Sequence, residues 1–209
     1  MSQIIRLFTL ILYTLLLAGC SSTTLTASWK NPEFNQHLEN VYLVGVAKND
    51  VNRRLFEDAF KQKLDQVGAS GIVSYTDFPK DESDKDRVMA KAKSRQADSI
   101  LISRMVKKRT ETVVEPGRIT TYRTGYAPYY SPYYERYDDF YSRRYETIYE
   151  PPTINQYDIA TIEANLYSIE SGELIWAAQL EVVAEGNLKK IVEDFIAVVM
   201  RDLKEKGLL

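Results

Sequence analysis

The spacing of apolar positions changes period several times along the chain, and each change predicts an element. Val41-Tyr42-Leu43-Val44-Gly45-Val46-Ala47 is a nearly continuous apolar run ending at Asn49-Asp50, the pattern of a short strand covered on both faces. Val51, Leu55, Phe56, Ala59, Phe60, Leu64 and Val67 then recur at three- and four-residue steps. They predict a helix capped by Asn49 or Asp50 and stopped by Gly68. Ile72, Val73 and Tyr75 give a second short strand, closing a β-α-β unit with a right-handed crossover. Beyond the charged loop from Pro79 to Asp86, Val88, Met89, Ala92 and Ala97 form a narrower helical stripe. Ile100 to Val106 is the next strand. It continues as the polar, β-prone run Lys107 to Val114 before the turn pair Pro116-Gly117, so it outlasts its own apolar face.

In the later part, Ala160, Ile162, Ala164 and Leu166 alternate with polar neighbours, and Leu174, Trp176, Ala178, Leu180, Val182 and Ala184 do the same. Ser171-Gly172 between them predicts a hairpin. From Asn187 to Gly207 the apolar residues keep helical spacing, giving a long amphipathic helix that needs a sheet to cover. The order β-α-β-α-β-β-β-α predicts an α/β (α+β) sandwich, a mixed sheet with helices packed on it.

The amino-terminal pattern is different. Arg6 precedes an apolar run from Leu7 to Ala18, which leads into Leu17-Ala18-Gly19-Cys20. About a dozen apolar residues fall short of the roughly 20 that a membrane-spanning helix needs, so residues 1–19 read as a secretory leader. The final tetrad resembles the bacterial lipobox, which implies cleavage between Gly19 and Cys20 and a diacylglycerol and an N-acyl chain on the Cys20 sulfur and amine. Two or more acyl chains, at about 0.8 kcal/mol per buried methylene, hold a protein on a membrane durably. Ser21 follows, where lipoproteins kept in the inner membrane typically carry Asp; the resemblance therefore favours the outer membrane and a periplasm-facing domain. Residues 20–38 begin with a hydroxyl-rich stretch and read as a lipidated tether of about 25 Å root-mean-square span, with residues 39–209 as a single α/β domain.

Composition removes several chemistries. Cys20 is the one cysteine and His37 the one histidine, so the folded part has no material for a disulfide, a Cys/His dyad, a Ser/His/Asp triad or a multi-histidine metal site. No metal or cofactor is expected apart from the covalent lipid, and His37 reads as a solvated side chain. The formal charge of −2 becomes about −3 without the leader, whose one charged side chain is Arg6, which argues against nucleic acid as a partner. Glu57-Asp58 and Asp138-Asp139 are adjacent pairs that point about 100° apart on a helix, unlike catalytic carboxylates flanking one bond. They read as solvated charges. Arg53-Arg54 reads the same way, although an arginine on the first helical turn above a strand end can take part in anion binding.

The most unusual segment is an insertion at about residues 115–156, which holds ten of the fifteen tyrosines. Pro128-Tyr129-Tyr130 recurs as Pro132-Tyr133-Tyr134, with prolines that bar helix and central strand. Tyr133, Tyr137, Tyr141, Tyr145 and Tyr149 fall every fourth residue, which on a helix makes an aromatic ridge. Three readings stay open: that ridge, a partner surface of Tyr and Arg, and a low-complexity loop. As a partner surface the candidates are Tyr126, Tyr129, Tyr130, Tyr133, Tyr134, Tyr137, Tyr141, Tyr145, Arg136, Arg143 and Arg144, because Tyr and Arg dominate binding hot spots.

Ser28-Trp29-Lys30-Asn31-Pro32, Val41 to Ala47, Asn52 to Phe60, Ser74-Tyr75, Ala97 to Leu101, Glu163 to Tyr167 and Gly172 to Trp176 together resemble a family of uncharacterised bacterial lipoproteins, members of which often carry a tyrosine-rich insertion here. More loosely, the element order is similar to the domain shared by the curli-secretion lipoprotein, the lipoprotein activators of penicillin-binding proteins and the amino-terminal domain of TolB. That likeness implies envelope assembly or binding rather than catalysis. The expectation is a non-catalytic envelope module binding a protein or cell wall. The alternatives are a self-assembling ring or pore, with long strands around 104–124 and 146–160 forming a hairpin, and a hydrolase using carboxylates alone.

Overall fold

The computed structural model describes residues 22–79, 84–123, 145–184 and 186–209. Among these the strands are β1 (Thr23–Lys30), β2 (Asn40–Val46), β3 (Ser70–Val73), β4 (Ser99–Glu115), β5 (Arg118–Arg123), β6 (Tyr145–Glu150), β7 (Thr153–Ser168) and β8 (Leu174–Val183). The helices are α1 (Asp50–Gln66), α2 (Lys85–Ser94) and α3 (Leu188–Glu205). Two units are distinguished. One holds the described residues up to Arg109 together with Asp158–Leu209, and the other is Thr110–Tyr157.

The larger unit is the predicted mixed-sheet α/β fold. Six strands form one sheet in the order β1-β8-β7-β4-β2-β3. β2 runs parallel to β3 and β4, and β8 runs antiparallel to β1 and β7. As its continuous apolar run predicts, β2 sends side chains into both layers. Val41 and Leu43 join Phe60 and Leu64 of α1 and Phe195, Ile196 and Leu203 of α3 in one core. Tyr42 packs on the opposite face with Val88 and Ala92 of α2 and with Ile100. Each such side chain, fully buried, contributes about 1.5–3 kcal/mol.

Local signals set the helix ends. The Asn49 side chain accepts from the backbone N–H of Val51 at 2.8 Å and caps α1, and Gly68 beyond its end takes φ +91°, which a side chain would disfavour. Asn187 caps α3 in the same way by accepting from Lys189 N at 2.9 Å.

Two expectations need correction. Residues 23–30 are not part of a flexible tether but the edge strand β1, paired with β8 from Thr23↔Val182 to Lys30↔Trp176 with an irregularity between Leu25 and Ala27. The hydroxyl-rich composition that suggested a coil is also β-branched, and an edge strand needs only one partner. It is tied further to α3, because the Ser28 hydroxyl donates to Asp202 Oδ1 at 3.0 Å and Lys30 Nζ to the Lys206 carbonyl at 3.0 Å. Nor are Arg53 and Glu57 solvated charges: they are 2% and 0% exposed. The glycine at position 45 lets α1 approach the sheet, since a Cβ there would stand 3.0 Å from the Phe56 ring. That close approach seals Arg53 and Glu57 beneath the helix. Arg54 and Asp58, a step further round, remain exposed.

Candidate functional site

The insertion was the sequence's strongest candidate, and its described part is built from strands. β4 ends at Glu115 and β5 begins at Arg118, while β6 ends at Glu150 and β7 begins at Thr153. The two interruptions carry Pro116 and Pro151-Pro152, and proline has no N–H to give to a ladder. They also lie against each other: a Cβ on Gly117 would stand 2.6 Å from the Glu150 carbonyl oxygen and 2.9 Å from Pro152 N, so only glycine fits there unaltered.

Between the breaks, β5 and β6 form a separate two-stranded antiparallel sheet, in register from Arg118↔Glu150 to Arg123↔Tyr145. Ile119 lies opposite Tyr149, and Thr120 opposite Ile148. Cross-strand partners share a face and neighbours along a strand do not. Ile119 and Tyr149, 69% and 64% exposed, therefore occupy one face, and Ile148, 44% exposed, the other. Val113, Val114 and Ile154 of the same unit are exposed as well.

The proposed aromatic ridge is corrected at its carboxyl end. Tyr145 and Tyr149 are on strand β6 and not on a helix. Tyr126, Tyr129, Tyr130, Tyr133, Tyr134, Tyr137, Tyr141, Arg136, Arg143 and Arg144 lie outside the described residues. So do Asp138, Asp139, Gly19 and Cys20.

In the larger unit, the residues singled out for chemistry are engaged structurally. Glu57 Oε1 accepts from Gly45 N at 3.1 Å, Arg53 Nε at 3.1 Å and the Ser74 hydroxyl at 2.8 Å, and its Oε2 accepts from Tyr75 N at 3.1 Å. The carboxylate is thus held by four donors. Asp58 accepts from the Tyr75 hydroxyl at 2.7 Å, which raises the phenol above its ordinary range, and Arg54 stacks over the same ring at 5.1 Å. His37 is exposed, as expected.

Sequence reasoning missed a second buried group. Tyr42 donates to Asp77 Oδ2 at 3.2 Å, and Arg95 clasps the same carboxylate through Nη2 at 2.6 Å and Nε at 3.1 Å. Burial first, and then the Asp77 charge, push the Tyr42 phenol far above its ordinary range, so it stays a donor at neutral pH. Among the described residues no His, Cys, Asp or Glu cluster could hold a metal ion, and no helix is long and apolar enough to cross a membrane.

No protein-family model matches the sequence, and no curated protein is similar to it. Solved structures give a distant likeness. A PelC dodecamer from Paraburkholderia phytofirmans superposes with a TM-score of 0.46 at 12% identity, over 87% of this chain and 96% of that one. A variant of the same PelC gives 0.46 at 13% identity, over 85% and 95%. A PDZ domain protein from Parabacteroides distasonis gives 0.37 at 7% identity, over 89% of this chain and 37% of that one.

Proposed function

We propose that the protein is a non-catalytic binding or assembly module of the bacterial cell envelope, lipid-anchored at Cys20 to the outer membrane and facing the periplasm. The insertion is its partner surface. The observation that carries this reading is the exposure of Ile119 and Tyr149 on one face of the β5–β6 sheet and Ile148 on the other. A two-stranded sheet is marginal in water by itself, and one with apolar side chains on both faces gains from being covered. The Tyr and Arg content of the same insertion supplies the residue types that anchor interfaces at low entropic cost. Leu17-Ala18-Gly19-Cys20 and Ser21 support the address.

The test is capture of crosslinked neighbours from an envelope fraction, comparing intact protein with a chain lacking residues 118–150. Loss of specific neighbours is expected. Equal recovery would remove the insertion from the role.

A second reading, self-assembly into an envelope ring or pore, is favoured by Val113, Val114 and Ile154, which extend the exposed apolar surface along β4 and β7. A defined oligomer in detergent that dissociates when residues 118–150 are removed would support it, and a strictly monomeric protein would dismiss it.

A further inference from the structure

α1 and α3 touch through Phe56 and Phe195, whose ring centres stand 5.7 Å apart, and between the two helices the larger unit carries an open groove of about 950 Å³. Val51, Leu55 and Ala59 line it from α1 at steps of four, which keeps them on one helix face. Ile196 and Ala197 line it from α3.

The charged residues on its rim are already answered. Arg54 stacks over the Tyr75 ring and Asp58 accepts from the same phenol, while Lys63 donates to Gln66 at 3.4 Å. Lys189 faces Glu193 at 3.9 Å, and Asp194 accepts from Lys190 at 2.8 Å. Nothing here calls for an ion. What stays unanswered is apolar: Val51 is 68% exposed, Ala197 is exposed, and Leu55 and Ala59 are half-buried.

The course of the chain decides the occupant. Ser22 stands on the rim of the groove, because its hydroxyl donates to Asp194 Oδ2 at 3.0 Å and its carbonyl accepts from Val183 N at 2.9 Å. Cys20 lies two virtual bonds of about 3.8 Å before it, at most about 8 Å away. Acyl chains on that residue start beside the groove, at an effective concentration that no separate partner shares. A bilayer takes every methylene out of water, and the groove is open along one side, so the bilayer holds the chains better where there is one.

We infer that, off the membrane, the α1–α3 groove shelters one of the acyl chains carried on Cys20, set against Val51, Leu55, Ala59, Ile196 and Ala197. The inference rests on the lipidation proposed above and does not involve the insertion.

Cells fed a fatty acid with a terminal diazirine yield the full lipoprotein with a photoreactive anchor. Diluted out of detergent and photolysed, the monomer is expected to carry crosslinks within residues 51–63 or 189–197, located by peptide mass spectrometry. Ala197→Glu, at an exposed position, sets a charge in the groove without disturbing the core. It should reduce those crosslinks at least about tenfold, with unchanged circular dichroism. Crosslinks made only to detergent, to other copies or to a co-purifying protein would overturn the inference, and so would an Ala197→Glu protein that crosslinks like the intact one. Intact mass separates the two failures. An acylated Cys20 without groove crosslinks overturns the sheltering alone, whereas a bare Cys20 removes the anchor and the sheltering with it.

Discussion

The indole nitrogen of Trp176 donates to Asp202 Oδ2 at 2.7 Å, inside the layer between the sheet and α3. With the Ser28 hydroxyl on its other oxygen, this carboxylate joins β8, the edge strand β1 and the last helix. Hydrogen bonds to a charged group are worth about 1.5–3 kcal/mol, and neutral ones about 1 kcal/mol. Asp202→Ala, which loses both bonds, is therefore expected to lower the unfolding free energy by about 3 kcal/mol or more, and Ser28→Ala, which loses one part-buried bond, by about 1.5 kcal/mol. Urea denaturation followed by tryptophan fluorescence reads both, and equal losses would show that the indole bond adds nothing.

The buried Arg53–Glu57 pair predicts an asymmetry. Removing one partner, as in Glu57→Leu, strands the other charge beneath α1 and should cost about 3–5 kcal/mol. The double substitution Arg53→Met with Glu57→Leu leaves no buried charge, so it should be more stable than Glu57→Leu alone. A double variant that is additive in its losses would contradict this account.

Asp77 predicts acid sensitivity. Burial alone would raise its carboxyl, but the hydrogen bonds from Arg95 and Tyr42 and the Arg95 charge outweigh it, holding the group below its ordinary 3.8. The unfolded chain therefore takes up this proton at higher pH than the folded one. The stabilisation is complete above 3.8 and is lost as the pH falls through the lowered folded value. The gap in stability between the natural protein and Asp77→Asn should thus narrow on acidification. A gap that stays constant down to about pH 2 would rule the linkage out.

For the insertion, Ile119→Ser with Tyr149→Ser removes the larger exposed face of the β5–β6 sheet. Exposed substitutions usually shift stability by no more than about 0.5 kcal/mol, so the melting temperature should hold while crosslinking to neighbours falls. A large drop in melting temperature would mean that this face is structural.

Much of the larger unit was legible, because α1, α3 and the β7–β8 hairpin each carry a clean apolar period that burial then enforces. The edge strand was not. Thr23, Thr24, Thr26 and Ser28 look like linker, and their strand state depends on β8 and on Asp202, nearly the whole chain away. The buried Arg53 and Glu57 did leave a trace, since with Phe60 and Leu64 they make steps of four, three and four along one face of α1. Charge outweighed spacing in reading them, and Gly45, which admits them, bears no side chain to signal it. Tyr145 and Tyr149 misled for a related reason: a step of four is common to one helix face and one strand face.

The edge strand would shorten any tether to a lipid on Cys20. With β1 starting at Thr23, three virtual bonds of 3.8 Å separate it from Cys20, a reach of at most about 11 Å. A protein acylated at that sulfur would keep the start of β1 within about 11 Å of its lipid, like a moored hull, not a kite on a line.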